Sequence, residues 1–282
     1  WRGAKSDNIN RLTQDFKGTE IVRLEQNYRS TQVILKAANS VIKNNQSRMG
    51  KELWTKQNEG EKISIYSAYN EDDEARYVVS TIRSWIDQGL SLDEAAILYR
   101  SNAQSRALEE AILREGLPYR IYGGQRFYER LEIKNAMAYI RLLYGGEDDA
   151  AFERVINLPP RGIGAKTLDI IREKAKEENS SLWKASNELL GNHGLTTRAR
   201  GSLSGFMSDL ENLQSEIEGL ELKEVVDHTI QRSGLIDYHK KEAGEKARTR
   251  IENLAELVSA AGDFVPEGEE EEIPILKSFV FL

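Results

Sequence analysis

The chain has 282 residues, of which 39% are hydrophobic and 30% charged, which is long and apolar enough for one large or two ordinary domains and excludes a disordered chain. No cysteine is present, so disulfides, zinc–cysteine sites and thiol nucleophiles are excluded, and no apolar run approaches the roughly 20 residues that span a bilayer. The net charge of −7 argues against coating nucleic acid through bulk charge, while leaving room for a local basic groove on an acidic body.

The chain opens at Trp1 without an initiator Met and ends in the apolar residues Ile275, Leu276, Phe279, Val280, Phe281 and Leu282, the pattern expected of an excised fragment. Four β-like runs follow in order, at residues 21–24, 63–67, 95–99 and 119–122. Between them lie helical stripes: Val33, Ile34, Ala37, Ala38 and Val41, then Ala75, Val78, Val79, Ile82 and Ile86. Ser30 or Thr31 is placed to cap the first. Such alternation is the signature of a parallel sheet covered by helices. A further helix carries Ile133, Ala136, Met137, Ile140 and Leu143 on its expected buried face.

After Gly145, Gly146 and the acids Glu147, Asp148 and Asp149, strand candidates cease and helical periodicity continues, so a boundary is expected between 1–146 and 147–282. The longest helix of the second part carries Leu203, Phe206, Met207, Leu210, Leu213 and Ile217. Pro266, Gly268 and the acids around them read as a solvated linker. The predicted class is therefore α/β followed by all-α.

Tyr28 and Arg29 fall in the loop between the first strand candidate and the first helix, the edge of an α/β sheet where ligands bind. The ring can stack on a purine and the guanidinium can reach phosphate oxygens, although the same pair also serves as ordinary surface residues. The whole string Leu24-Glu25-Gln26-Asn27-Tyr28-Arg29-Ser30-Thr31 resembles the fourth conserved motif of the superfamily 1 DNA helicases of the UvrD, PcrA and Rep type. Trp1-Arg2-Gly3-Ala4 resembles the end of their third motif. The segments from Tyr99 to Arg106 and from Tyr122 through Tyr128 to Lys134 resemble two later ones, in order. Gly244-Glu245-Lys246 and the segment from Thr249 to Leu254 are most similar to the insertion of the UvrD branch.

This resemblance implies an incomplete RecA-like parallel-sheet domain of the P-loop-NTPase type over 1–146, the first part of the second motor domain. An inserted helical subdomain, truncated at its C-terminal end, would occupy 147–282. It implies that Tyr28 stacks on adenine and that Arg29 acts as an arginine finger on the γ-phosphate of ATP, with Mg²⁺, in the intact enzyme. Trp1 and Arg2 would lie on the single-strand path, and Arg100 and Asn102 would hold the same strand's backbone. Read alone, Trp1 is more readily a core aromatic and Arg100 a solvated charge. The resemblance further implies 3′ to 5′ translocation in excision and mismatch repair, with repair proteins as partners, in the nucleoid-containing bacterial cytosol.

A second candidate site runs from Leu158 through Pro159, Pro160, Arg161, Gly162, Ile163, Gly164, Ala165 and Lys166 to Thr167, and it resembles a helix-hairpin-helix. Gly162 and Gly164 let backbone N–H groups approach a phosphate, Arg161 and Lys166 supply charge, and Thr167 supplies a hydroxyl, so duplex DNA is the expected ligand. A plain turn with a helix cap is the alternative reading of the same residues.

No Gly-x-x-x-x-Gly-Lys-Ser/Thr loop occurs, nor an Asp-Glu pair after an apolar strand, and His193, His228 and His239 lack metal-ligand spacing. The isolated chain is therefore expected to hold no metal, to bind ATP hardly at all, and to be inactive without the rest of the helicase. Two other readings are a helicase-nuclease relative with a scaffolding insertion and a passive duplex-binding module.

Overall fold

A computed structural model describes residues 15–16, 18–20, 22–45, 51–122, 124–145, 147–191, 194–265 and 279. The chain divides into two compact units, Trp1–Ala68 and Tyr69–Leu282.

In the first unit, helix α1 (Gln32–Ile42) buries Leu35 and half-buries Val33 and Ala37, while Ile34 and Val41 stay exposed. Thr31 stands at the N-cap, but its side chain makes no capping bond. The N–H groups of Gln32 and Val33 donate instead to the carbonyls of Asn58 and Glu59, at 3.3 and 3.1 Å. The chain can press this close to the helix start because Gly60 has φ +79° and no side chain; a Cβ there would lie 2.5 Å from that of Thr31. Asn39 holds Leu53 in both directions, donating to its carbonyl at 2.8 Å and accepting its N–H at 3.1 Å.

Gln26 and Trp54 form a single parallel bridge, built on Asn27 N–H to Trp54 O at 2.7 Å and Trp54 N–H to Glu25 O at 3.1 Å. No longer ladder forms among the described residues, so the runs expected as strands are irregular wherever they are described. The physical reason lies in their surroundings. A parallel strand needs backbone partners and cover on both faces, whereas Leu24 is 79%, Ile65 94%, Leu98 94% and Tyr122 89% exposed. The described structure is helical.

The second unit opens with α2 (Glu71–Asp87), whose N-cap Asn70 accepts the Asp73 N–H at 2.9 Å and whose first turn carries four acids that suit the helix dipole. Its Ala75 and Val79 pack with Ala107, Ala111 and Ile112 of α3 (Ser105–Arg114) and with Leu117 in a small core. Helix α4 (Leu131–Gly145) is buried on nearly every side, as a central helix must be. Around it follow α5 (Asp149–Val155), α6 (Ala165–Glu178), α7 (Leu182–Gly191), α8 (Thr197–Glu216), α9 (Leu222–Arg232), α10 (Leu235–Lys240) and α11 (Glu245–Asp263). The predicted faces of α4 and α8 are buried throughout. One core joins Ile133 and Ile140 of α4 to Phe152, Ile171, Phe206, Val226 and Leu257, and so continues across residue 146. Among the described residues no helix is long and apolar enough to cross a membrane.

A polar seam fastens α11 to the segment from 101 to 132. Asn253 accepts from Arg130 at 3.0 Å and donates to Glu132 at 2.6 Å, and Arg130 also donates to Asn102 O at 2.9 Å and Ser105 Oγ at 2.7 Å. Arg106, 2% exposed, donates to Glu256 at 2.6 Å, Glu110 at 3.1 Å and Asp263 at 3.1 Å.

Candidate nucleotide and nucleic-acid interface

Each described candidate loop is set by one amide oxygen that accepts two backbone N–H groups. In the first unit Asn27 Oδ1 takes those of Arg29 at 2.9 Å and Ser30 at 2.7 Å, an Asx turn that fixes the loop before α1. Gln57 donates to the Tyr28 carbonyl at 2.6 Å, and the Tyr28 hydroxyl donates to Gln26 Oε1 at 3.0 Å. The backbone is held while the working groups are left out. The Tyr28 ring is 75% exposed, and the Arg29 guanidinium is exposed and makes no ion pair among the described residues. A flat ring beside a fixed cation suits one edge of a nucleotide, base and phosphate together.

In the second unit Gln104 Oε1 accepts from Arg100 N–H at 3.0 Å and Ser101 N–H at 2.9 Å, closing a capping box with Ser101 around the short 3₁₀ turn Asn102–Gln104. The Arg100 and Asn102 side chains are exposed, while the Asn102 carbonyl is tied inward to Arg130. Trp1 and Arg2 lie outside the described residues.

The third loop connects α5 to α6. Asn157 Oδ1 accepts from Arg161 N–H at 2.8 Å and Ile163 N–H at 3.2 Å, and Ile163 is buried beneath. Arg161 points into the protein. Its guanidinium donates to the carbonyls of Val155 at 3.2 Å, Pro159 at 3.1 Å and Ser233 at 3.4 Å and to the Tyr139 hydroxyl at 2.8 Å, and it lies 5.2 Å from the centre of the Phe206 ring. Burial pushes the Tyr139 hydroxyl above the ordinary phenol range, against the opposing charge of Arg161, so the group stays protonated and donates to Leu158 O. Arg161 thus shapes the loop.

Gly162 has φ +82°, and Gly164, at the N-cap of α6, carries no side chain to cap the helix. Lys166 is exposed without an ion pair among the described residues, and Thr167 is half-buried. Sequence reasoning missed Asn157 and Tyr139. An asparagine just ahead of a Pro-Pro-x-Gly turn was the available signal for the first, whereas Tyr139 read only as part of a buried helix. Asn157→Ala is expected to cost about 1 kcal/mol, the scale of a lost hydrogen bond at an exposed site. It should also speed amide exchange at Arg161 and Ile163, and unchanged exchange there would show that the loop is held by Arg161 alone.

The described residues contain no group of three His, Cys, Asp or Glu side chains placed to hold a metal ion. A family model described as the UvrD-like helicase C-terminal domain matches residues 22–280. DNA helicase II of Escherichia coli (strain K12) is 52% identical over 280 residues, which is 99% of this chain and 39% of that protein. DNA helicase II of Haemophilus influenzae is 49% identical over 280 residues, covering 99% and 38%. The ATP-dependent DNA helicase PcrA of Staphylococcus epidermidis is 42% identical over 275 residues, covering 98% and 37%. The chain therefore spans less than two fifths of the length of these relatives.

Proposed function

The chain belongs to the UvrD-like helicase C-terminal domain family, and from that premise we propose that it serves as part of an ATP-driven DNA helicase that moves 3′ to 5′ in DNA repair. The observation that carries this reading is the Tyr28–Arg29 pair, exposed on a loop whose backbone is held by Asn27 and Gln57. Tyr28 would stack on adenine, and Arg29 would stabilise charge on the transferring phosphoryl group as an arginine finger. Both fit the open side of a nucleotide. The phosphate loop and the Mg²⁺ ligands would come from the rest of the protein, because this sequence contains no phosphate-loop motif.

Arg100 and Asn102, with Trp1 and Arg2, would line the single-strand path. Gly162, Gly164, Lys166 and Thr167 would hold duplex phosphates, with Arg161 keeping that loop in shape from behind. Residues 1–146 would then belong to a RecA-like motor domain and 147–282 to its helical insertion, made stiff at their junction by the shared core of α4 and α5. A bacterial cytosolic location and repair-protein partners accompany this reading.

The test is DNA-stimulated ATP hydrolysis and unwinding by the full-length protein. Activity on a 3′-tailed duplex with none on a 5′-tailed one is expected, and the chain alone should hydrolyse nothing. Unwinding from a 5′ tail only, or hydrolysis by the isolated chain, would overturn the reading.

A further inference from the structure

We propose that Arg198, on the first turn of α8, is a further DNA-phosphate-binding residue and that it forms with Lys166 a two-cation edge for the duplex backbone. This rests on the reading of the α5–α6 loop as a duplex-binding site.

Three residues of α8 at fourfold spacing, Arg198, Ser202 and Phe206, share one helix face. The loop runs along that face. Arg161 lies over the Phe206 ring at 5.2 Å, and a Cβ at the next residue, Gly162, would lie 3.6 Å from Ser202 Oγ. As the loop advances from 161 to 162, its contact on α8 moves one turn toward that helix's N-terminus. Arg198 is one turn further in the same direction, about 6 Å along the axis at 1.5 Å per residue. Continued by one more turn, the same register would set Arg198 beside the part of the loop that leads through Gly164 to Lys166.

The charges are arranged to be available. Arg198 and Lys166 are both exposed, and neither makes an ion pair among the described residues. Two neighbouring cations are already committed: Arg161 to backbone carbonyls, and Arg172 of α6 to Glu153 at 2.6 Å and Asp169 at 3.0 Å. The Arg198 backbone sits in a turn fixed by Thr196, whose hydroxyl accepts the Ala199 N–H at 3.3 Å. A guanidinium so placed can take two oxygens of one phosphate while Lys166 acts on a neighbouring one as a point charge.

The experiment compares the full-length wild type with Arg198→Ala, Arg198→Lys and Lys166→Ala, titrating a 3′-tailed duplex and the single-stranded tail alone over a range of salt. Arg198→Ala is expected to weaken the tailed duplex about fivefold at low salt and to lower the slope of log K against log salt by about 0.9, with the single strand unaffected. Arg198→Lys should recover the slope, because the slope counts charges, and should recover only part of the affinity. Unchanged slope in Arg198→Ala beside a reduced slope in Lys166→Ala overturns the role of Arg198 and leaves the loop's role standing. If neither variant alters duplex binding, both readings fall. An equal loss on the single strand also overturns the proposal.

Discussion

In the full-length protein Arg29→Ala is expected to lower DNA-stimulated ATP turnover by roughly 10³-fold or more, with DNA affinity and thermal stability retained. The size follows from what the residue would do. A finger contributes mainly where charge develops on the transferring phosphoryl group, so its loss falls on kcat more than on nucleotide binding. Stability is expected to survive because the loop is held by Asn27 Oδ1, by Gln57 and by the Asn27–Trp54 pairing, none of which involves the Arg29 side chain. Arg29→Lys keeps the charge and loses the planar fork, so it should recover a minor part of the rate. Near-normal turnover in Arg29→Ala would sink the assignment, and loss of folding in that variant would show that the side chain has a structural role.

The three candidate loops share a construction that the sequence partly displays. Asn27, Gln104 and Asn157 each spend one amide oxygen on two N–H groups of the segment that carries the candidate side chains. A loop so held gives up little entropy when a ligand arrives, since its backbone is ordered beforehand. Asn27 and Gln104 stand inside the motifs that carried the family resemblance, yet only geometry shows why an amide is needed at either place.

Helices were legible where a stripe meets a single core. The faces of α4 and α8 were readable because 3.6-residue periodicity and burial coincide there. In α1 the stripe named Ile34 and Val41, yet the helix buries Leu35, and the segment 51–60 meets the helix through polar contacts such as Asn39 to Leu53. A Thr at the N-cap suggested a side-chain cap, but the carbonyls of Asn58 and Glu59, brought close by Gly60, take the N–H groups of Gln32 and Val33. The strand candidates show a further case: a short β-like apolar run records a readiness to pair, and pairing needs a neighbour. Arg161 illustrates a fourth, since a charged residue between prolines and glycines reads as surface, while carbonyls from three places in the chain hold it inside.

Replacing Arg106 by Ala is expected to destabilise the second unit by about 3 kcal/mol, measured by urea unfolding near neutral pH. Its guanidinium is enclosed by Glu256, Glu110 and Asp263, with Glu71 at 3.7 Å. Burial works against its charge, but the Glu256 hydrogen bond and the charges of Glu110 and Glu256 outweigh that and raise its pKa. Removing the cation leaves the acids facing one another around a void. The lower end of the range for a broken buried pair applies because Glu71 and Asp263 are partly exposed and water can screen them. The sign of the pH dependence separates charge from packing. Burial raises the Glu256 pKa and Arg106 lowers it, with burial dominant; without Arg106 the folded-state pKa rises further above its unfolded value. A carboxyl raised in this way penalises folding above its folded pKa, and the penalty is relieved as pH falls through that value. The difference in stability between Arg106→Ala and wild type should therefore shrink on acidification into the carboxylate range. A deficit that stays constant would assign the loss to the vacated volume instead, and Arg106→Met, which fills that volume without charge, would then restore stability where the electrostatic account says it cannot.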